Sequence, residues 1–235
     1  MKLGIIGAMS IEIEALKSQM TELRSVDYAG MTFYDGLFEG VAAVLVVCGV
    51  GKVNAAMCAQ VLCDNFCVTH IINTGVAGSL CAELDIGDFV ISTEAIYHDF
   101  DCQVINPHYV VGQVPGLPVR SFPADPLLIE RAYMAAQGVN KGRASKGIVA
   151  SGDQFVCNKE QKTKIIENTG AICTEMEGAA IAHTAWRNGV PFVVIRAISD
   201  KADDSAEMDY PTFEAIAAKQ STALTIKMIQ SLQEK

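Results

Sequence analysis

The feature that most constrains this chain is the alternation of short, β-branched apolar runs with segments of helical periodicity. The run from Leu3 to Met9 is continuously apolar, as is typical of a strand buried on both faces. Parallel strands need a crossover between them, usually a helix, so this alternation indicates an α/β protein. We predict a three-layer α/β/α fold with a central mixed, largely parallel sheet, formed by residues 1–235 as a single domain.

The predicted elements follow one another without a repeat or a low-complexity linker. The strands are a hairpin of Met31–Phe38 and Val41–Val47, a strand starting at Ile71, and Asp88–Tyr97, Gly147–Ser151, Ala171–Glu175 and Phe192–Ser199. The helices are one capped by Ser10, Lys52–Asn65, one opened by Asp125 and Pro126, Lys159–Asn168, Glu177–Asn188, and a long one from about Tyr210. The aperiodic stretch from His98 to Pro123 is long enough to predict a functional loop.

Composition excludes several classes of function. Half of the residues are hydrophobic, which is enough for a core and unlike a disordered protein. Acidic residues outnumber basic ones by 27 to 18, and the net charge of −9 repels nucleic acids and anionic membranes. No apolar run approaches the roughly 20 residues of a membrane span, and the N-terminus lacks a signal-peptide cleavage site. We therefore expect a cytoplasmic protein with neither kind of partner.

The eight cysteines do not predict a disulfide framework or a metal site. Most of them lie in apolar segments, and a chain of this length does not need disulfides for stability. They contain no Cys-x-x-Cys pair and do not cluster with the four histidines at metal-ligand spacing. We expect reduced core cysteines, no metal and no cofactor.

Six predicted strand or loop ends carry polar residues or glycines. Because ligands of α/β sheets bind beyond the carboxyl ends of the strands, these ends predict a pocket. They are Met9–Glu12, Gly49–Gly51, Thr74–Gly78, Gly152–Phe155, Glu175–Glu177 and Ser199–Asp200.

Three acidic residues at these ends are candidates for chemistry, although each alone is also compatible with a helix cap or a solvated acid. Asp200 follows a fully apolar strand, so desolvation is expected to raise its pKa and make it a proton donor. Glu12 is expected in a more polar setting, ionised and acting as a base. Glu177 lies at a helix start, where its negative charge is favoured and can accept hydrogen bonds from a diol.

The remaining candidates are weaker when each is taken alone. Gly49-Val50-Gly51 lacks the acidic residue that a dinucleotide fingerprint places about 20 positions further on, so a tight turn explains it equally well. Gly78 can allow close backbone approach to a ligand. Phe155 can stack on a base or belong to the core, and Arg196 within a buried strand needs anionic partners.

Taken in order, these motifs resemble the bacterial 5′-methylthioadenosine/S-adenosylhomocysteine nucleosidases of the purine-nucleoside phosphorylase superfamily. The resemblance covers nearly the whole chain. It depends on Gly4–Met9 with Glu12, Gly49–Ala56, Asn73–Gly78, Tyr97–Asp99, Gly112–Gly116, Ser151–Phe155, Glu175–Glu177 and Arg196–Asp200.

The resemblance implies hydrolysis of the N-glycosidic bond of 5′-methylthioadenosine, S-adenosylhomocysteine and 5′-deoxyadenosine, in methionine salvage and methyl-cycle recycling. It implies that Glu12 activates water and that Asp200 protonates adenine. The implied substrate contacts are Gly78, Phe155, Val156, Met176, Glu177, Met9, Val50, Arg196, Ser199 and Tyr210. It also implies a homodimer in which the loop after His98 reaches into the partner's pocket.

Three positions depart from the usual family pattern: Val76, and Cys102 and Ile105 in the loop that shapes the 5′ pocket. They bear on the choice among methylthio, homocysteinyl, deoxy and aminofutalosine-type substituents. Two other functions remain open at this point. A phosphorolytic enzyme would need cations beside the sugar, where Arg196 is the one candidate, and a nucleoside-binding protein would have no need for two opposed carboxylates.

Overall fold

The computed structural model describes residues 1–139 and 143–233, so residues 140–142 and 234–235 of the predicted single domain lie outside the described residues. The strands are β1 (Lys2–Gly7), β2 (Met20–Tyr28), β3 (Met31–Phe38), β4 (Val41–Val47), β5 (His70–Ser79), β6 (Phe89–Tyr97), β7 (Phe122–Pro123), β8 (Ala144–Ser151), β9 (Cys173–Glu175) and β10 (Phe192–Asp200). The helices are α1 (Ser10–Lys17), α2 (Lys52–Phe66), α3 (Pro126–Gln137), α4 (Lys159–Thr169), α5 (Gly178–Asn188) and α6 (Ala206–Ser231).

Within the described residues the strands form one mixed sheet, which confirms the predicted α/β fold. Its order is β10-β6-β8-β9-β5-β1-β4-β3-β2, with β7 beside β6. Strand β1 pairs in parallel with β4 and β5, and β5 pairs in parallel with β10. The predicted hairpin is present as β3 and β4, which pair antiparallel.

The sheet also closes on itself, which the alternation of elements did not predict. Strand β10 pairs with β5 as well as with β6, so β5, β10, β6, β8 and β9 form a ring of paired strands. Strand β9 has only three residues and joins β8 to β5. The closure brings the carboxyl ends of β5, β8, β9 and β10 around one opening.

Helices cover both faces of the sheet, as the three-layer prediction requires. Side chains of α2 and α5 belong to one buried apolar cluster, together with Phe33, Phe122 and Ile198. Side chains of α1, α3 and α6 belong to a second cluster, together with Leu45 and Phe89. The apolar side chains of these five helices therefore pack against the sheet.

The structure corrects two predicted helix starts and adds strand β2. Helix α1 has Met9 rather than Ser10 at its N-cap, because the chain turns after Gly7 and the Glu12 carboxylate accepts the Met9 N–H. Helix α6 begins at Ala206, four residues before Tyr210, and includes Pro211. Strand β2 was not predicted, because nearly all of its residues are exposed and it lacks apolar alternation.

Candidate active site

An open cleft with about 570 Å³ of empty space lies at the opening of the strand ring. It contains residues from all six of the predicted strand or loop ends. Its lining consists of Ala8, Met9, Glu12, Val50, Val76, Ala77, Gly78, Gln154, Phe155, Val156, Thr174, Glu175, Met176, Glu177, Ser199, Asp200 and Tyr210. Every predicted site residue except Arg196 is in this set.

Asp200 is turned into the cleft by an irregularity in strand pairing. The register between β10 and β5 shifts between Ile198 and Asp200, which places Asp200 opposite Gly78. Such a bulge re-aims the side chain that follows it. The carboxylate accepts hydrogen bonds from the Ala202 N–H (2.8 Å) and the Ser199 hydroxyl (2.9 Å).

Asp200 is buried, with 2% of its surface exposed. Desolvation raises the pKa of its carboxyl group, while the hydrogen bonds from Ala202 and Ser199 oppose the rise. The direction agrees with the proton donor predicted at this position.

Glu12 is held at the start of α1 by two backbone donors. Its Oε2 accepts the N–H groups of Ala8 (2.7 Å) and Met9 (3.0 Å). The predicted polar setting is wrong, because Glu12 is also only 2% exposed and burial raises its pKa. The positive charge of Arg196 opposes the effect of burial and favours the ionised form. A nearby cation, not solvent, therefore distinguishes the setting of Glu12 from that of Asp200.

Two glycines of β5 leave room for these carboxyl groups. A Cβ at Gly75 would lie 2.7 Å from Glu12 Oε1, and a Cβ at Gly78 would lie 2.7 Å from Asp200 Oδ1. Real Cβ atoms do not approach other atoms this closely. The observed positions of both carboxyl groups therefore require glycine at positions 75 and 78. Positions 75 and 78 are three residues apart, roughly 10 Å along an extended strand.

Glu177 is the third acid of the cleft and lies at the N-cap position of α5. Its Oε1 accepts the Gly51 N–H at 2.8 Å. Burial and the neighbouring Glu175 raise the pKa of Glu177 to about 7, against the opposing charge of Arg196. A carboxylate in this position can accept hydrogen bonds from hydroxyl groups of a ligand in the cleft.

The mouth of the cleft is apolar and aromatic. Phe155 is 45% exposed and meets Tyr210 edge-on, with ring centroids 5.3 Å apart. The Tyr210 hydroxyl lies 3.6 Å from the sulfur of Met9. Val50 is exposed at the same mouth. The arrangement suits a flat, partly apolar ligand that covers these side chains.

Comparison with known proteins assigns the chain to a family. A family model described as the phosphorylase superfamily matches residues 2–230. A 5′-methylthioadenosine/S-adenosylhomocysteine nucleosidase of Geobacillus thermodenitrificans is 42% identical over 236 residues, covering 100% of this chain and 99% of the relative.

Two solved structures agree with this assignment. The nucleosidase of the same name from Neisseria meningitidis, in complex with methylthio-immucillin-A, has a TM-score of 0.93 at 38% identity and covers 98% of this chain and 99% of its own. The S-adenosylhomocysteine nucleosidase of Streptococcus pyogenes, in complex with 5-methylthiotubericidin, has a TM-score of 0.93 at 33% identity. The match covers 99% of this chain and 97% of the Streptococcus pyogenes chain. The chain belongs to the 5′-methylthioadenosine/S-adenosylhomocysteine nucleosidase family.

In this nucleosidase-family chain, Arg196 lies beneath the cleft and does not line it, which corrects its predicted place among the substrate contacts. Its guanidinium donates to Asn73 Oδ1 (2.6 Å), to the Ile195 carbonyl (3.0 Å) and to Glu175 Oε2. A buried guanidinium needs such acceptors, and these partners hold it below the surface.

Glu175 supports Glu177 in this nucleosidase-family site through hydrogen bonds at the start of α5. Its carboxylate accepts the N–H groups of Glu177 (3.1 Å) and Gly178 (2.7 Å), a hydrogen bond from Ser151 and the ion pair with Arg196. It therefore satisfies the first N–H groups of α5 and fixes the backbone that carries Glu177.

Sequence reasoning missed two residues of the nucleosidase-family cleft, Ala8 and Thr174, which are neither in the six predicted ends nor among the predicted substrate contacts. Each is next to a predicted end in the sequence, which was the one available signal. Of the three positions that depart from the family pattern, Val76 lines the cleft, while Cys102 and Ile105 are absent from its described lining.

The part of the chain that the structure describes contains neither a cluster of metal-ligating side chains nor a membrane-spanning helix. No group of three or more metal-ligating side chains lies together in residues 1–139 and 143–233. In the same ranges, no helix is long and apolar enough to cross a membrane.

Proposed function

We infer that the protein hydrolyses the N-glycosidic bond of 5′-methylthioadenosine and S-adenosylhomocysteine, releasing adenine and the 5-thio-substituted ribose. Relatives and solved structures that match over nearly the full length carry this name. The observation that carries the mechanism is the pair of buried acids in one cleft, Glu12 beside Gly75 and Asp200 beside Gly78. The same contacts to adenine and ribose are available to 5′-deoxyadenosine, which we propose as a further substrate.

The proposed mechanism uses the two acids at opposite ends of the reacting bond. Protonated Asp200 donates its proton to N7 of adenine, so the purine leaves as a neutral base when the bond between C1′ and N9 breaks. Ionised Glu12 takes a proton from water, whose oxygen forms the new bond to C1′. Burial raises the pKa of both acids, which favours the protonated form of Asp200, whereas at Glu12 the charge of Arg196 opposes the effect of burial and favours the ionised form.

The other residues of the cleft orient the nucleoside. We propose that Phe155 stacks on adenine and that the backbone of Val156 contacts the purine edge. Beside the base, Ser199 holds the Asp200 carboxylate with its hydrogen bond, and Gly78 leaves room for it. Glu177 accepts hydrogen bonds from the ribose hydroxyls, with Met176 beside it. The 5′-substituent of the nucleoside lies against three further side chains, Met9, Val50 and Tyr210.

Hydrolysis is favoured over phosphorolysis by the charges of the cleft. Among the described residues, none that lines the cleft is a lysine or an arginine. Arg196, the one cation considered for phosphate, is engaged with Asn73 and Glu175 below the surface. A phosphate dianion would therefore meet Glu12 and Glu177 without a compensating cation.

Adenine release from methylthioadenosine, measured with and without phosphate, tests this function. We expect phosphate-independent release that falls by about 10²–10⁴-fold in Asp200→Asn and in Glu12→Gln, the usual worth of one acid–base group. Glu14→Gln, an exposed acid on the same helix as Glu12, and the exposed Asp204→Asn serve as matched controls and should retain activity. Release only with phosphate, accompanied by a sugar 1-phosphate, would replace hydrolysis with phosphorolysis. Binding without release would indicate a nucleoside-binding protein.

We also propose a homodimer, as the family resemblance implies. Apolar side chains are exposed in the first turns of α2, at Val53 and Met57, and in the loop after His98, at Val104 and Ile105. Exposed apolar residues of this kind are typical of a protein interface. A sedimentation mass of a single chain at micromolar concentration would contradict the dimer.

A cytoplasmic location is proposed from the thiol chemistry. All eight cysteines, each within the described residues, are free thiols. Disulfides are rare in reducing compartments such as the cytoplasm, so a set of unpaired cysteines is typical of a protein in such a compartment. Labelling of intact cells with a thiol reagent that cannot cross the membrane should leave these cysteines unmodified.

A further inference from the structure

A cluster of two ion pairs joins three chain segments beside the cleft. Lys52 Nζ lies 2.6 and 2.7 Å from the two carboxylate oxygens of Asp99, and 3.7 Å from Asp153 Oδ2. Lys52 is the first residue of α2, Asp99 follows β6, and Asp153 follows β8. The side chains of Lys52 and Asp99 are 22% and 15% exposed, so solvent screens their attraction less than at the surface.

Backbone hydrogen bonds complete this cluster, which we call the Lys52–Asp99 clamp. The Asp153 N–H donates to Asp99 Oδ2 at 2.9 Å, and the Lys52 N–H donates to Asp153 Oδ1 at 2.8 Å. Asp153 is thus held through its main chain and its side chain. Gly152 allows the close approach, since a Cβ there would lie 2.4 Å from the His98 ring.

The clamp contacts the cleft only through neighbouring residues. Neither Lys52, Asp99 nor Asp153 lines the cleft. Phe155 follows Asp153 by two residues and does line it. Gly51 precedes Lys52, and its N–H donates to Glu177 Oε1 at 2.8 Å. Loss of the clamp would therefore loosen a wall at Phe155 and the donor that orients Glu177.

We propose that Lys52 and Asp99 are positioning residues that pre-order the walls of the cleft formed by residues 152–156 and by Gly51. The proposal rests on the proposed function, since it assigns these walls to nucleoside binding. Ordering a loop at the moment of binding reduces affinity, whereas a loop that is already ordered avoids that cost. The clamp acts on contacts made equally in the ground state and the transition state. Its loss therefore raises KM and leaves kcat nearly unchanged.

The experiment compares Asp99→Asn and Lys52→Met with the wild-type protein. We expect each variant to raise KM for methylthioadenosine about tenfold with kcat within about twofold. The double variant should resemble either single one, because the two residues act as a unit. Lys52→Arg keeps the charge and should restore KM to within about threefold of the wild-type value. Glu160→Gln, which breaks the exposed ion pair with Lys164 on α4, is the matched control and should change neither constant.

A second measurement does not depend on activity. Hydrogen exchange of residues 152–156 should accelerate in Asp99→Asn and Lys52→Met but not in Glu160→Gln. If the wild-type protein releases no adenine, the proposed function fails, and accelerated exchange would still support the clamp as the device that orders this segment. Unchanged exchange, or a fall in kcat at constant KM in an active protein, would overturn the clamp.

Discussion

At the residue scale, the cleft combines three buried acids whose surroundings differ in the charges and donors that face each one. Asp200 has two hydrogen-bond donors, Glu12 has two backbone donors and the field of Arg196, and Glu177 has Glu175 as a like-charged neighbour. The space for the first two carboxylates comes from Gly75 and Gly78. A side chain at either glycine must therefore displace an acid.

Gly75→Ala and Gly78→Ala test this dependence. We expect each to lower kcat by about 10²-fold, since misplacing a reacting group by about 1 Å costs that much. The Cβ at position 75 displaces Glu12, and the Cβ at position 78 displaces Asp200 and presses on Ala202. Steady-state rates of adenine release give the result.

Gly4→Ala on β1 is the control for both variants, because the atoms nearest to its Cβ would be side-chain atoms of Leu62 and Val68, which lie outside the site. It should retain kcat. Equal losses of activity in all three variants would attribute the effect to strain in the sheet rather than to the displaced acids.

At the element scale, helix α6 supports the floor of the cleft through buried hydroxyl groups. Ser221 Oγ accepts the Gly75 N–H at 3.1 Å and shares a hydrogen bond of 2.7 Å with Thr74. Thr222 donates to the Glu12 carbonyl at 3.1 Å, and Thr225 donates to Thr74 at 3.0 Å. The helix therefore holds both β5 and the start of α1 where Glu12 and Gly75 meet.

Ser221→Ala should destabilise the fold and disturb the site together. It leaves the buried Gly75 N–H without its acceptor, which costs about 1–3 kcal/mol of unfolding free energy. Because Gly75 lies under the Glu12 carboxylate, kcat should fall as well. Urea unfolding and adenine release measure the two effects.

Ser231→Ala, at the end of the same helix, removes a hydroxyl whose hydrogen bond, among the described residues, goes to the Met228 carbonyl. It is expected to change the unfolding free energy by no more than about 0.5 kcal/mol. An equal loss of stability in both variants would remove the special role of Ser221.

At the scale of the whole molecule, the buried acids make stability depend on pH. The pKa of Glu177 is raised from 4.5 to about 7 in the folded protein. Between these values the folded state binds more protons than the unfolded state, so the unfolding free energy falls as the pH rises. The raised pKa values of Glu12 and Asp200 act in the same direction. Substrate-free protein should lose stability across this range.

Comparison with Glu177→Gln isolates the contribution of Glu177. Between pH 4.5 and pH 7.5 the wild-type protein should lose about 1–3 kcal/mol more unfolding free energy than the variant, since one pKa unit corresponds to about 1.4 kcal/mol. Urea unfolding of both proteins across this range gives the difference. Parallel stability curves would contradict it. If the predicted single domain is right, these experiments should also show a single unfolding transition.

Local patterns in the sequence determined most of the elements and nearly all of the cleft residues. The apolar run of β10 and the Asp125-Pro126 start of α3 were both predicted, and the Asp125 side chain caps α3 by accepting the Leu128 N–H at 3.0 Å. The polar ends of buried strands predicted the site, because carboxyl ends of parallel strands meet at one edge. Such signals arise from burial and capping, which act over a few residues.

Only the tertiary structure decided the features that depend on contacts between distant segments. Strand β2 is stabilised by pairing with β3, and the ring closes through pairing of β10 with β5 and β6, neither of which leaves a local pattern. Arg196 was expected to contact substrate, but Asn73 and Glu175 engage it below the cleft. The setting of Glu12 likewise depends on a charge 184 positions away along the chain. A residue's electrostatic environment is set by its neighbours in space, and only the fold brings those neighbours together.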